Sequence, residues 1–220
     1  LFHGTDTYSI AKGVSWWKAE FAKKYGKENC TVLDCELLTS EPEIRLTLSN
    51  LLHAATLFST TKLVVFKNVF SKATKKHLLE ILTADLESTP PTHFIVFHEE
   101  NIDARTSLIK LIKKLKDEGR AKIQGFLLPR GNDLLAWVRQ YAHSKNMQID
   151  EGAMVAFVHR FDSSAEGQSW DKDAVEWNLW QIIHELEKLA SYAKGRPIMR
   201  EDVELLVAEN PQAHIFSLVD

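Results

Sequence analysis

The sequence predicts a three-layer α/β domain with a five-stranded, mostly parallel sheet, followed by a small all-helical domain. Three observations carry that prediction. Leu63-Val64-Val65-Phe66 and Phe94-Ile95-Val96-Phe97 are continuous apolar runs, the pattern of strands covered on both faces. Amphipathic helical stretches separate the strand runs at roughly 25–30 residue spacing, as βα units do. Beyond Leu128-Pro129 the strand pattern stops and only helical periodicity continues. The expected division is therefore 1–128 for the α/β domain and 129–220 for the helical one.

The elements follow in order. Leu1 to Gly4 reads as a short strand, and Tyr8 to Tyr25 as a helix with Ile10, Val14, Trp17 and Phe21 inward, ended by Gly26. Cys30 to Cys35 is the second strand. Ser40, with Glu43 three residues on and Pro42 in the first turn, opens a helix buried through Ile44, Leu48, Leu51, Leu52 and Ala55. Lys62 to Lys67 is the third strand. Ala73 to Ala84 is a helix closed by Thr89-Pro90-Pro91, and His93 to His98 is the fourth strand. Asp103 to Lys116 buries Leu108, Leu111, Ile112 and Leu115, and Ala121 to Phe126 is the fifth strand.

In the helical part, Asp133 is expected to cap a helix carrying Leu134, Leu135, Trp137, Val138 and Tyr141. Helices over Glu151–Phe161, Ala174–Lys194 and Glu201–Glu209 follow, with a last segment over Ala213–Val219. The polar run 162–173 reads as a mobile loop.

Between the Ser40 helix and the Lys62 strand lies Thr56-Leu57-Phe58-Ser59, with two large apolar side chains on a connection. Connections normally run over the surface. Phe58 returns to the phase of the helix stripe and Leu57 does not, so periodicity leaves both core packing and exposure open.

Composition excludes several functions. With 220 residues and a net charge of −3, no global field draws nucleic acid or an anionic membrane. No apolar run reaches the length of a membrane span and no signal peptide is visible. Cys30 and Cys35, an odd number of positions apart on one strand, point to opposite faces. They read as reduced thiols of a cytoplasmic protein. The chain opens at Leu1 directly in a strand, as a fragment would.

Catalytic patterns are weak. The nine histidines include no HExxH, and no Cys/His spacing suits zinc. Glu99-Glu100 follows the fourth strand as an acid pair and reads as a solvated loop. The basic run Lys110–Lys122 is interrupted by Asp117 and Glu118 and lacks interleaved aromatics, so it reads as a solvated helix face.

An α/β domain followed by a helical lid resembles the AAA+ nucleotide-binding modules. In those, the first strand leads into a phosphate loop with Gly-Lys-Ser/Thr, and the third ends in acids. Here the first strand leads into Gly4-Thr5-Asp6-Thr7, and the third ends Phe66-Lys67-Asn68. Neither the phosphate-binding lysine nor the acidic pair is present. No catalytic residue, cofactor or metal is expected.

Several short motifs in order resemble the delta subunit of the bacterial DNA polymerase III clamp loader. They are Leu1-Phe2-His3-Gly4-Thr5-Asp6; Leu57-Phe58-Ser59 before Lys62-Leu63-Val64-Val65; and Ile102-Asp103-Ala104-Arg105 with Lys110. Leu135 with Trp137-Val138 comes next, then Glu185-Leu186-Glu187-Lys188-Leu189, and Ile198 with Glu201-Asp202-Val203. The resemblance implies a non-enzymatic subunit that binds the ring-shaped sliding clamp (the beta ring) and helps open it. Other clamp-loader subunits then bind ATP, and DNA is held indirectly within the complex. The family's clamp-binding element carries over onto Leu57 and Phe58, with Ala55 and Thr56 beside them, which favours exposure over core packing there. A degenerate AAA+ NTPase and a DNA-binding module working through Lys110–Lys122 are the alternatives.

Three departures accompany the resemblance. Met199 stands where the lid helix usually has a Thr cap, and Trp177-Asn178-Leu179-Trp180 replaces a plainer stretch. The chain ends at Ile215–Asp220, about where the family passes into a helical collar domain. The expectation is that the collar is not part of this chain.

Overall fold

The computed structural model describes residues 1–53, 61–71, 76–161 and 177–208. The chain forms two compact units, Leu1–Leu127 and Leu128–Asp220.

The first unit carries strands β1 (Phe2–His3), β2 (Cys30–Asp34), β3 (Leu63–Lys67), β4 (Phe94–Glu99) and β5 (Gln124–Gly125). Between them lie helices α1 (Thr7–Tyr25), α2 (Glu41–Leu52), α3 (Lys76–Ser88) and α4 (Ser107–Asp117). The sheet order is β2-β3-β4-β1-β5, and every pairing is parallel. The register runs Leu63 against Phe94 and Phe2 against His98.

Strand period sets the layers. Val64 and Phe66 join Ile44, Leu48 and Leu52 of α2, Leu78 and Leu82 of α3, and Leu108, Ile109 and Ile112 of α4 in one core. Leu63 and Val65 join Ile10, Val14 and Phe21 of α1 in the other. Leu63, Val64, Val65 and Phe66 are at most 1% exposed. This is the doubly covered strand that the unbroken apolar run predicts.

Local signals explain most boundaries. Asp6 caps α1 by accepting from the Ser9 N–H at 2.9 Å, and Ser40 caps α2 with Pro42 in its first turn. Glu43 departs from the expected capping box: its carboxylate accepts from the N–H and hydroxyl of Thr39, both at 2.9 Å. Helix α4 begins at Ser107 with Thr106 as its cap, later than the expected Asp103. Asp103 instead accepts from the backbone and side chain of Arg105. Helix α3 runs past Ala84 to Ser88 and stops where Pro90 disfavours helix. Strand β5 is two residues long, against six expected, because only Phe2 and His3 offer it partners.

Two further expectations fail. Trp17 is 39% exposed, although it sits only about 40° from the mean direction of Ile10, Val14 and Phe21 on a 3.6-residue helix. Cys35 lies past the end of β2, in a 3₁₀ turn, so the two free cysteines do not share a strand.

The second unit contains α5 (Gly131–Ser144), α6 (Glu151–His159), α7 (Leu179–Ala193) and α8 (Arg200–Leu206). Asp133 lies in the first turn of α5 and Arg130 is the cap residue. Helix α6 ends at His159 rather than Phe161, and α8 ends at Leu206, short of Glu209. Helix α7 begins at Leu179, later than the expected Ala174, because Asn178 and Gln181 close a reciprocal capping box. The polar run 162–173 and the segment 213–219 lie outside the described residues.

Candidate functional site

The four residues expected to bind a clamp, Ala55, Thr56, Leu57 and Phe58, lie outside the described residues. Both of their anchors are described. Helix α2 ends with His53 as its C-cap residue, whose N–H donates to the Ser49 carbonyl at 2.9 Å. Immediately before β3, the Lys62 ammonium donates to the carbonyls of Asn50 at 3.4 Å and Leu51 at 3.3 Å. These carbonyls have no acceptor role inside the helix, and a cation at a helix C-terminus also suits the dipole. Lys62 is 9% exposed, and burial pushes its ammonium below the usual lysine range. The residue thus ties the start of the third strand to the end of the second helix. Sequence reasoning took Lys62 only as a strand boundary; a lysine opening a buried apolar run was the available signal.

The C-terminal rim of a parallel sheet is where such folds bind ligands, at the point where the strand order reverses. In the order observed here, that point is between β1 and β4. The turn after β1 is held from within. The Gly4 N–H is shared by the carbonyls of Glu99 and Glu100, the Asp6 N–H donates to Phe126 O, and the Thr7 N–H to Thr5 O. Ser9 and Ile10 donate to the Asp6 side chain and carbonyl. Asp6 is 5% exposed and places its carboxylate at the start of α1, where a phosphate would otherwise sit. Gly4 has φ +132°, and a Cβ there would stand 2.0 Å from the Phe126 carbonyl oxygen.

The acid pair on this rim behaves differently from the expected solvated loop. Glu100 is exposed, whereas Glu99 ends β4 and is 2% exposed. Its two carboxylate oxygens accept from the N–H groups of Val69 at 3.0 Å and Phe70 at 3.2 Å. Burial pushes its pKa up to about 7; the two N–H donors oppose that shift and the Asp34 charge adds to it. Asp34 accepts from the Asn68 side-chain amide at 3.0 and 3.1 Å, and Asn68 occupies the left-handed region at φ 59°. Ser71 donates to Glu36 alongside. Burial, helped by the Glu99 and Asp34 charges, raises the Cys35 thiol to about 12, so it is no nucleophile at neutral pH. These acids hold the turn after β3. Among the described residues, no group of three His, Cys, Asp or Glu could hold a metal ion.

The motif residues of the second unit do structural work. Leu186, Leu189, Ile198 and Val203 are at most 1% exposed. Glu187 accepts from the Tyr141 hydroxyl at 3.0 Å, and Lys188 donates to the Leu206 carbonyl at 2.8 Å. Asp202 takes the Arg196 guanidinium in two bonds at 2.6 and 2.7 Å. It also accepts from the Met199 N–H at 2.9 Å. That last bond is the half of a capping box that Met199 itself does not need to supply. The Arg105–Asp103 pair and the lysines of α4 are exposed.

The family model described as DNA polymerase III, delta subunit matches residues 1–122. Among solved structures, the Bacillus subtilis DNA clamp loader delta protein (YqeN) is 20% identical with a TM-score of 0.52. That match covers 99% of this chain and 60% of that one. The Thermotoga maritima RuvB Holliday junction branch migration motor is 11% identical with a TM-score of 0.54, over 93% of this chain and 59% of its own. At these identities the likeness is one of fold, AAA+-like in both cases. The chain spans about 60% of the length of the delta protein it matches. No curated protein matches it.

Proposed function

The chain belongs to the DNA polymerase III delta subunit family, and on that premise we propose that it is the clamp-gripping, non-hydrolysing subunit of a clamp loader. Leu57 and Phe58, with Ala55 and Thr56 beside them, enter an apolar pocket on the sliding clamp and help open the ring. The α/β domain, 1–128, carries this element, and the helical lid spans 129–220. Other loader subunits bind ATP, and DNA is held through the assembled complex. The compartment is the cytoplasm, in keeping with free Cys30 and Cys35.

The observation that carries the non-hydrolysing part is the turn after β1. Its Gly4, Asp6 and Thr7 N–H groups are donated within the chain and Asp6 fills the anion position at the start of α1. A phosphate cradle needs those same groups free. Support for the gripping part is the Lys62 anchor, which holds the two ends of the connection together.

The test is Leu57→Ala with Phe58→Ala, measured by thermal melting and by titration against the sliding clamp. Exposed anchors give an unchanged melt and an affinity loss of about 3 kcal/mol, on the order of a hundredfold. A much lower melting temperature would assign both residues to the core. Unaltered clamp binding would remove them from the interface.

A further inference from the structure

The long helix α1 carries an exposed face that neither the fold nor the proposed grip uses. From Thr7 to Asn29 the chain holds five lysines (Lys12, Lys18, Lys23, Lys24, Lys27) against two glutamates (Glu20, Glu28), within a protein of net charge −3. Lys23 and Glu20 pair with each other at 2.6 Å, which leaves Lys12, Lys18, Lys24 and Lys27 against Glu28. Lys12, Trp16, Ala19 and Lys23 fall within about 60° of one another on a 3.6-residue helix and span about 16 Å of its length. All four are exposed.

Two indoles lie on or beside this stripe. Trp16 is 59% exposed and Trp17 39%, and their rings meet edge to face at 5.7 Å. Burying such rings is favourable, yet here the helix presents them to solvent between lysines. Near the helix end, Lys24 lies over the Tyr25 ring at 5.0 Å, and Tyr25 packs against Phe94, itself 42% exposed. Basic side chains interleaved with solvent-facing aromatic faces are what a single strand of nucleic acid engages: phosphates pair with lysines and unstacked bases lie on rings. A duplex keeps its bases stacked inside and offers those rings nothing. Along the stripe there is no hydroxyl or amide side chain to hold a ribose 2′-hydroxyl.

We propose that the Lys12–Trp16–Lys23 stripe of α1, with Trp17 beside it, is a binding surface for single-stranded DNA. Base stacking falls to Trp16 and Trp17, and Lys12, Lys23 and Lys24 meet the backbone.

The probe is a labelled oligothymidylate of about 20 nucleotides, a length chosen to exceed the typical span of one single-strand site. Its fluorescence anisotropy is followed on titration with this chain, with no clamp present, so the outcome is separate from the clamp-gripping reading. Binding that weakens with salt is expected. Trp16→Ala costs about fivefold or more, and adding Trp17→Ala costs several-fold again. Trp16→Phe with Trp17→Phe restores most of the affinity. Lys12→Ala with Lys24→Ala lowers the slope of log affinity against log salt by about 0.7 per lysine removed. Trp16→Ala alone, at an exposed position, keeps the test independent of folding, which circular dichroism checks. No binding at low salt, or binding that the tryptophan variants leave unchanged, overturns the proposal. Tighter binding of a duplex, of oligouridylate or of anionic vesicles overturns it equally.

Discussion

The ammonium of Lys62 lies 3.3 Å from the carbonyl oxygen of Leu51, eleven residues earlier in the chain. The residue just before β3 thereby closes the C-terminus of the helix that precedes it, and the connection between them starts and ends at one fixed place. Lys62→Met keeps the apolar stem and removes the donor. Hydrogen bonds to charged groups contribute about 1.5–3 kcal/mol, and water can replace part of this one at the helix end. The expected loss is about 1–2 kcal/mol in urea unfolding, with weaker clamp binding because the anchors are loosened. Unchanged stability together with unchanged clamp affinity would show that Lys62 anchors nothing.

Glu99 gives the fold a pH dependence. Its folded pKa of about 7 stands above the ordinary carboxyl value of 4.5, so between those values the folded protein binds a proton that the unfolded chain does not. Its contribution is fully present below about pH 4.5 and is lost as pH rises through about 7. At one pKa unit per 1.36 kcal/mol the loss is on the order of 3 kcal/mol. Glu99→Gln stays neutral throughout. The variant should show a flatter stability curve between about pH 5 and pH 8 than the parent, measured by urea unfolding. Relative to the parent it fares best above about pH 7, where the parent's buried carboxylate is ionised. Parallel curves for parent and variant would mean that Glu99 ionises normally.

Gly4 is a position that only glycine fills. At φ +132° an added Cβ would lie 2.0 Å from the Phe126 carbonyl oxygen, which is backbone and cannot swing aside. Gly4→Ala should cost about 2–4 kcal/mol, the sum of backbone strain and a forced shift of the β5 strand end. Gly13→Ala is the control. Its Cβ would meet only the Phe2 ring at 3.7 Å, and alanine suits a helix interior, so stability holds or rises by up to about 1 kcal/mol. Thermal melts of the two variants should therefore move in different directions.

Much of the fold is legible in the sequence because periodicity and caps are local. Ser40, the β3 run and the apolar face of α4 each declare their element within a few residues. Glu99 does not. Its donors come from Val69 and Phe70, thirty and twenty-nine residues away, and a carboxylate ending a strand looks the same whether water or backbone N–H groups satisfy it. Lys62 was illegible for the same reason. Trp17 shows another limit: a residue on the edge of an apolar stripe is assigned inward by spacing, yet a large ring can extend past the neighbouring layer into solvent. The start of α7 turned on a pair, Asn178 with Gln181, that reads as a cap only once its neighbours are seen to be helical.

Asp6 stands at the start of α1. Its side chain caps α1, its carbonyl takes the Ile10 N–H, and its own N–H donates to Phe126. The charge sits where a nucleotide phosphate would need the helix end, so a phosphate would meet both repulsion and an occupied donor set. Calorimetric titration with Mg-ATP should therefore show no micromolar binding. Asp6→Ala removes the charge and the cap together, at a stability cost of about 1 kcal/mol. It should still not create a nucleotide site, because the Gly4 and Asp6 N–H groups stay bonded to Glu99, Glu100 and Phe126 and no Gly-Lys-Ser/Thr follows β1. Asp6→Asn separates the two effects: it keeps a capping oxygen, so stability should remain close to the parent while the charge is gone. Micromolar Mg-ATP binding by the parent would refute the non-hydrolysing reading. Binding gained in Asp6→Asn would show that the carboxylate alone, rather than the bonded turn, keeps phosphate out.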